Sequence, residues 1–346
     1  MSPRESSPAE AVERELDRAI VELGLRGHHV LVAASGGLDS TVLAHALTRL
    51  RPSGPACVSL GHVNHGLRGA EAEADEAAVR ALARRLGVAC RVRHVAPGEL
   101  RSGRSSRDRP TPQEAARTVR YGALREMAHE LRASRLATAH HADDQAETVM
   151  LRLLRGTGPD GLGGIPERSE DGFIVRPLLR LPRAALEAYA RHHGLDWRED
   201  ASNESPAYAR NRLRRELPSF ARGFNPQWLR AIVEMAEAQR RDSEWIAGRV
   251  AAEAECRFSV EDGWLRIDAK DFRALPEALS RRLAREALAR CGVARLVTRV
   301  HLERIQEFLG SARVGTRLEL PGGIRLLREH AGFRLGPCSG GRQGAC

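Results

Sequence analysis

The stretch HVLVAASGGLDS (residues 29–40) decides the fold of the first half of the chain. Its first six residues form a largely apolar run, which is typical of a strand buried on both faces of a parallel sheet. A Ser-Gly-Gly turn follows and leads into an amphipathic helix through Leu43 and Leu47. A strand, a glycine turn and a helix N-terminus in this order direct backbone N–H groups at an anion. The stretch therefore predicts a phosphate-binding loop in an α/β domain.

Short apolar runs and amphipathic segments continue to alternate after this loop, as parallel α/β units require. We expect an open parallel sheet with helices on both faces. Further strands are predicted at 57–63, 91–95, 135–139 and 173–178. The helices between them are predicted at 71–86, 113–132, 143–155 and 183–193.

The pattern changes beyond about Phe220 and predicts a second, smaller α+β domain. A long helix should run to about Glu255, and a turn with a strand, two helices and a hairpin should follow it at 259–272, 276–291, 298–310 and 316–329. We divide the chain into a nucleotide-binding domain (1–215), a smaller helical α+β domain (216–336) and a tail (337–346) that is predicted to be disordered.

The charge balance predicts a polyanionic partner. The net charge is +10, and Lys270 is the only lysine, so nearly all cations are arginines. Arginine pairs with phosphate through two N–H groups at once, which suits a nucleic acid. A genome rich in G and C would produce the same preference for arginine, so composition alone leaves both explanations open. A lysine-dependent GxxxxGK[ST] nucleotide loop is excluded.

Cysteine usage and hydropathy predict a cytoplasmic protein. The six cysteines are scattered without a CxxC pair, as expected where thiols stay reduced. No apolar run is long enough to span a bilayer, so we expect no membrane association. The first residues are polar and lack the apolar segment of a secretory signal.

An aspartate lies inside the predicted anion cradle. Phosphate would repel the carboxylate of Asp39 unless a divalent cation lay between them, so Mg²⁺ held by Asp39 is the simplest resolution. A plain turn with Asp39 as a helix cap is the alternative. The residues predicted to bind phosphate groups in this loop are Ser35, Gly36, Gly37, Leu38, Asp39 and Ser40.

The motif SGGxDS resembles the pyrophosphate loop (PP-loop) of the ATP pyrophosphatases. Members of this group cleave ATP between its α- and β-phosphates and adenylate a carbonyl-like oxygen. A nucleophile then attacks the carbon that bears this oxygen and displaces AMP. The resemblance implies ATP and Mg²⁺ as cofactors. The loop alone does not choose among the members of the group.

The segment HVNHGLR (62–68) resembles the corresponding stretch of the tRNA(Ile)-lysidine synthases. Ligands bind at the carboxyl ends of strands in open parallel sheets, so His62 and Asn64 are candidates for the adenosine site. Arg68 is a candidate for a phosphate contact. A third segment, QEAARTVRY (113–121), matches the same family, and the resemblance implies that Arg117 contacts the α-phosphate.

The segment HHADDQAET (140–148) permits two interpretations. Its histidines and aspartates could belong to a two-metal hydrolase, although no second ligand cluster is found elsewhere in the sequence. Alternatively, Asp144 and Glu147 lie one helical turn apart and would hold the ammonium of an incoming amine and accept its proton. The family resemblance favours the second interpretation and makes His140 a candidate for contact with the tRNA substrate.

The last motifs, WREDASN (197–203) and YARNRLR (208–214), are also similar to the family. The resemblance implies that a catalytic arginine, Arg212, partners Glu147. Arg210 and Arg212 lie close enough to the end of the nucleotide-binding domain to reach either tRNA phosphate or the acid pair. Arg210 and Arg214 are the candidates for tRNA contacts, and a basic helix face without function is the alternative.

The resemblance implies a carbon–nitrogen ligase. ATP would adenylate the wobble cytidine of tRNA(Ile) with a CAU anticodon, and free L-lysine would displace AMP to give lysidine. A homodimer is one candidate assembly. The competing hypotheses are a thiolating ATP pyrophosphatase, which commonly carries sulfur on paired cysteines, and a tRNA-binding protein without catalytic activity.

Overall fold

The computed structural model describes residues 8–66, 69–95, 112–199, 209–268, 270, 274–293 and 296–337. The helices are α1 (Pro8–Glu22), α2 (Leu38–Arg49), α3 (Ala70–Leu86), α4 (Pro112–Glu130), α5 (Ala142–Leu154), α6 (Pro159–Leu162), α7 (Arg183–His192), α8 (Ala209–Arg222), α9 (Trp228–Arg257), α10 (Glu277–Arg290) and α11 (Arg299–Ser311). The strands are β1 (His29–Ala33), β2 (Cys57–Asn64), β3 (Ala89–His94), β4 (Arg135–Ala137), β5 (Ile174–Val175), β6 (Phe258–Glu261), β7 (Trp264–Asp268), β8 (Arg317–Leu320), β9 (Ile324–Arg328) and β10 (Gly332–Gly336).

The first compact unit contains a five-stranded parallel sheet in the order β3-β2-β1-β4-β5. Successive strand residues face opposite sides, so Val30 and Val32 of β1 join one core with α1, α2, α3 and α7. Leu31 faces the other side and packs with Leu124 and Met127 of α4. Helices therefore cover both faces of the sheet, which confirms the predicted fold class.

Strand order places the functional loops. β1 lies at the centre, paired with β2 on one side and β4 on the other. Chain connections leave in opposite directions on the two sides of β1, and a crevice opens at such a switch point beyond the carboxyl ends of the strands. The loops that follow Ala33 and Ala137 therefore meet at this end of the sheet.

The second unit contains an antiparallel sheet in the order β6-β7-β10-β9-β8. One face of this sheet buries Leu265, Phe333 and Leu335 in a core shared with the end of α9, α10 and α11. This arrangement confirms the smaller α+β domain. Two details differ from the prediction: 259–272 contains part of a hairpin (β6 and β7) instead of one strand, and β10 was not predicted.

The boundary between the two units falls within α9, between Arg240 and Arg241. The predicted division after residue 215 lies earlier in the chain. Trp228 at the start of α9 packs with Ala146 of α5 and Leu217 of α8, which joins this stretch to the first unit. Most of the predicted tail, 337–346, lies outside the described residues.

The structure bears on two sequence-based expectations, the absence of a membrane-spanning helix and the state of the cysteines. Within the described ranges, no helix is both long and apolar enough to cross a membrane. Cys57, Cys90 and Cys256 are free thiols, whereas Cys291 is disulfide-bonded, so the expectation of reduced cysteines is wrong for Cys291.

Candidate active site

The phosphate loop between β1 and α2 is held in one shape by its own hydrogen bonds. Gly36 has φ +85°, and a Cβ there would lie 3.3 Å from the Asp75 carbonyl oxygen, so glycine is required. The Ser35 backbone N–H donates to Ser40 Oγ at 3.1 Å, and Ser40 Oγ donates to the Gly37 carbonyl at 3.1 Å. The first N–H groups of α2 have no acceptor within the helix. The loop is therefore built as an anion cradle.

Two other segments support the loop from outside. His62 Nδ1 donates to the Ala34 carbonyl at 2.9 Å, and the Arg198 backbone N–H donates to the Gly36 carbonyl at 3.0 Å. Arg198 Nε also donates to Asp75 Oδ1 at 2.6 Å, which ties the segment after α7 to α3. His62 thus fixes the backbone next to the loop, and its contact with adenosine stays a prediction.

Asn64 organises the turn after β2. Its Oδ1 accepts from the Gly66 N–H at 2.9 Å, and its Nδ2 donates to Glu76 Oε2 at 3.3 Å. These bonds hold the turn against α3. The contact of Asn64 with adenosine stays a prediction, and Arg68 lies outside the described residues.

Asp39 lies in the first turn of α2 and points at residues from two other elements. Its Oδ2 lies 3.4 Å from Arg183 Nη1 and 3.7 Å from His141 Nε2. Its Oδ1 is buried and has no hydrogen-bond partner within the described part of the chain. Burial raises the pKa of Asp39, although His141 and Arg183 oppose this shift. A buried carboxylate oxygen without a donor is suited to ligate a cation.

His141, at the start of α5, connects the phosphate loop to the acid pair. Its Nε2 lies 3.5 Å from Asp144 Oδ2 as well as close to Asp39, and its Nδ1 lies 3.4 Å from Asp143 Oδ2. Burial acts to lower the pKa of His141, but the three neighbouring carboxylates outweigh it, and the pKa is raised. The His141 imidazole therefore bridges the two halves of a single site.

The acid pair consists of Asp144 and Glu147, one turn apart on α5, and two arginines of α8 clamp it. The Glu147 side chain is 3% exposed, and its two oxygens accept from Arg210 Nε and Arg214 Nε, each at 2.6 Å. Asp144 Oδ1 accepts from Arg210 Nη2 at 2.9 Å. Burial acts to raise the pKa of Asp144, but His141 and Arg210 outweigh it, and the pKa is lowered.

The predicted pairing of Arg212 with Glu147 is wrong. Arg210 and Arg214 are four residues apart and share one face of α8, whereas a residue two positions away points to the other side. Arg212 accordingly lies exposed on that side. Arg210 and Arg214 hold the acid pair, and their predicted contact with tRNA stays a prediction, as does a catalytic role for Arg212.

His140 and Arg117 lie at the edge of the site. His140 Nδ1 is 2.9 Å from Thr138 Oγ1, and burial lowers the pKa of His140 to about 3, so the imidazole is neutral at pH 7. Arg117 is exposed on α4, where its Nη2 donates to the Tyr121 hydroxyl at 3.3 Å. The charge of Arg117 contributes to the lowered pKa of His140, so α4 lies within electrostatic reach of this end of the sheet.

Sequence reasoning missed Arg183, and it considered His141 and Asp143 only as metal ligands. Arg183 is the first residue of α7, and its backbone N–H donates to Asp143 Oδ2 at 2.8 Å while its side chain reaches Asp39. The preceding Pro182 is a signal for a helix start, but it does not reveal the partner. Among the described residues, no group of three or more His, Cys, Asp or Glu side chains could hold a metal ion, which gives the two-metal interpretation no support.

The strand order, the lysine-free phosphate loop and the adjacent Asp39 define a PP-loop nucleotide-binding enzyme, a class that uses ATP. A family model described as the PP-loop domain matches residues 8–220, and one described as the TilS substrate binding domain matches 268–331. The chain belongs to the tRNA(Ile)-lysidine synthase family. This finding confirms the predicted family over the thiolating alternative.

Several proteins named tRNA(Ile)-lysidine synthase are similar to the chain. The protein of Solibacter usitatus is 38% identical over 90% of this chain and 68% of its own length. The protein of Methylobacterium nodulans is 38% identical over 87% of this chain and 85% of its own length. The chain covers 63% of the relative from Symbiobacterium thermophilum, which is 37% identical over 87% of this chain.

A solved structure supports the fold independently. The U34-tRNA thiolase NcsA from Methanococcus maripaludis superposes with a TM-score of 0.55 at 20% identity, over 67% of this chain and 78% of that one. At this identity the likeness concerns the fold alone.

Proposed function

We propose that the chain converts the wobble cytidine of CAU-anticodon tRNA(Ile) to lysidine, with consumption of ATP and free L-lysine and release of AMP and pyrophosphate. One observation carries the proposal. His141 Nε2 lies 3.7 Å from Asp39 and 3.5 Å from Asp144, so the phosphate loop and the acid pair face one reaction centre. Activation and amine transfer can then occur without movement of the substrate base between sites.

The phosphate loop serves the activation step. The N-terminus of α2 would hold the phosphates of ATP through its backbone N–H groups. The free Oδ1 of Asp39 fits a Mg²⁺ ligand, and the bound ion would neutralise charge on the pyrophosphate. The cytidine carbonyl oxygen attacks the α-phosphorus while the bond from that phosphorus to the bridging oxygen breaks, which releases pyrophosphate. Arg117 is the proposed contact of the α-phosphate.

The acid pair serves the amine step. Two guanidinium groups contact Asp144 and Glu147, so these carboxylates already bind cations, and the ammonium of lysine has the same charge. Glu147 is almost fully buried between its arginines and acts as a positioning residue, whereas Asp144 is 15% exposed and is the carboxylate that an amine can reach. As the C–N bond forms and the C–O bond to AMP breaks, Asp144 accepts the proton from nitrogen.

The partners follow from this chemistry and from the charge balance. The net charge of +10 and the match to a substrate binding domain support tRNA as the polyanion. We assign catalysis to the domain at 1–215 and tRNA binding to the domain at 216–336. A cytoplasmic location and a homodimer complete the proposal.

The direct test is incorporation of labelled lysine. The protein is incubated with ATP, Mg²⁺, radiolabelled L-lysine and a CAU-anticodon tRNA(Ile) transcript, and the digested nucleosides are separated. We expect one labelled nucleoside per AMP formed, and none with a transcript that carries uridine at the wobble position. Pyrophosphate release without lysine in the RNA, or sulfur incorporation from a sulfur donor, would contradict the proposal.

A further inference from the structure

Two phenylalanines at the end of α8 form an exposed aromatic pair. Phe220 is 68% exposed and Phe224 is 80% exposed, and their ring centroids lie 5.0 Å apart at an interplanar angle of 54°. Aromatic side chains are strongly favoured in the interior, and adjacent exposed ones mark a surface that binds a partner. We call Phe220 and Phe224 the aromatic pair.

The charge around the aromatic pair favours a polyanionic partner. α8 carries five arginines and one acid, Glu216. Arg210 and Arg214 hold the acid pair, whereas Arg212, Arg215 and Arg222 are exposed. Exposed aromatic rings combined with arginines are the elements that bind single-stranded nucleic acid, where bases stack on rings and arginines meet phosphates.

Phe220 of the aromatic pair lies on the same helix as the arginines that hold the acid pair. Arg214, whose side chain reaches Glu147, lies six residues before Phe220 on the same helix. A rise of 1.5 Å per residue places Phe220 about 9 Å further along the helix axis. This spacing corresponds to a base within a few nucleotides of the one that reacts.

We propose that the aromatic pair is a stacking platform for an unpaired base of the tRNA anticodon loop, next to the reacting cytidine. The inference rests on the proposed function, because it takes tRNA as the substrate. Stacking tolerates any base, so the platform would supply affinity and place the loop, while the wobble base would be selected elsewhere. The platform acts on binding and leaves the chemical steps to the acid pair and the phosphate loop.

The test compares three double variants of the full chain for tRNA(Ile) transcript binding and for steady-state kinetics. For Phe220→Ala with Phe224→Ala we expect the Kd and KM for tRNA to rise by about 5- to 150-fold, the range for loss of one stacked base. The KM for ATP and kcat at saturating tRNA should stay unchanged. Phe220→Tyr with Phe224→Tyr should bind as wild type, because the planar rings are kept. Phe220→Leu with Phe224→Leu should lose affinity as the alanine variant does.

The controls separate this inference from the proposed function. Val21→Ala, at a 53% exposed apolar residue of α1, should change neither tRNA binding nor melting temperature. If wild type binds tRNA and the alanine variant binds it equally well, the stacking platform is refuted while the proposed function stands. Wild-type binding by the leucine variant, or loss of self-association without loss of tRNA affinity, would also refute it. If wild type itself fails to bind tRNA, the proposed function is refuted, and the stacking platform is refuted with it.

Discussion

Glu147, which is 3% exposed, accepts a 2.6 Å hydrogen bond from Arg214 Nε. Arg210 Nε donates to the other carboxylate oxygen at the same distance. A carboxylate this deeply buried is costly unless its charge is compensated and its oxygens are hydrogen-bonded. The arginine clamp therefore belongs to the stability of the protein as well as to its site.

Removal of one clamp arginine should destabilise the first unit. Arg214→Ala leaves Glu147 with a single arginine, and we expect the free energy of unfolding to fall by about 1–3 kcal/mol. This loss is smaller than that for a fully buried ion pair because the Arg214 side chain is 37% exposed. Arg212→Ala is the matched control on the other side of α8 and should cost less than about 0.5 kcal/mol. Urea unfolding followed by circular dichroism measures both. Equal effects of the two substitutions would show that the clamp is not formed in solution.

Asp39→Asn should separate stability from activity. Burial raises the folded-state pKa of Asp39, so folding disfavours its ionised form, and the carboxylate lowers stability once the pH exceeds that pKa. The isosteric amide removes this charge, and we expect an equal or higher melting temperature at pH 7. AMP formation should fall by about a hundredfold or more, because the position neutralises developing charge. Near-normal AMP formation in a folded variant would contradict the assignment of Asp39.

The pH dependence of stability should report His141. Its raised pKa means that its contribution is fully present below the unfolded pKa of about 6.5 and is lost as the pH rises through the folded pKa. Wild type should therefore lose unfolding free energy above pH 6.5, and His141→Asn should flatten this decline. His192→Asn, at an exposed histidine of α7, is the control and should follow wild type. An unchanged slope in His141→Asn would contradict the bridging role.

Low pH should also reduce the free energy of unfolding, because Asp144 becomes protonated. The pKa of Asp144 is lowered, so its stabilising contribution is present above the unfolded pKa of about 3.9 and is lost as the pH falls through the folded value. Asp144→Asn should reduce the dependence of the unfolding midpoint on pH below about 4. A wild-type profile in that variant would show that Asp144 is not paired in the folded protein.

Binding of tRNA should depend strongly on salt. Each neutralised phosphate should contribute a slope of about 0.7–0.9 in log Kd against log salt concentration. Because Arg210 and Arg214 are paired with acids, the exposed Arg212 and Arg215 are the residues of the 210–215 cluster expected to contribute. The cluster at 281–285 is expected to contribute as well. Filter binding at salt concentrations from about 50 mM to about 200 mM measures the slope. A Kd that does not change with salt would show that the arginines do not bind tRNA phosphates.

The elements that local patterns specify were predictable from the sequence. β1 and the phosphate loop follow from one apolar run and two glycines, because burial on both faces and the turn depend on neighbouring residues. The one-turn spacing of Asp144 and Glu147 likewise fixes their common face on α5. The second sheet was predicted only in part, since the short β10 has glycine at both ends and one of its two partners, β7, is distant in sequence.

The choice of partners across the fold was not predictable from local pattern. Arg183 meets Asp39 over a separation of 144 residues, and nothing near either residue signals the contact. Which arginines of α8 face Glu147 depends on the rotation of that helix, which is set by Leu213 and Leu217 packing near Ala146. The family pattern indicated Arg212 as the partner of Glu147. The packing of α8 instead places Arg210 and Arg214 against Glu147.

In the proposed mechanism, Asp39 serves activation by ATP and the acid pair serves amine transfer within one site. The measurement is pyrophosphate release in a single turnover with tRNA and ATP, with and without lysine, for wild type, Asp39→Asn, Asp144→Asn and Glu147→Gln. We predict that both acid-pair variants release pyrophosphate without lysine and fail to form lysidine when it is added, whereas Asp39→Asn releases none. If Asp144→Asn or Glu147→Gln, folded by circular dichroism, abolishes pyrophosphate release as completely as Asp39→Asn, the acid pair belongs to activation and the division is contradicted.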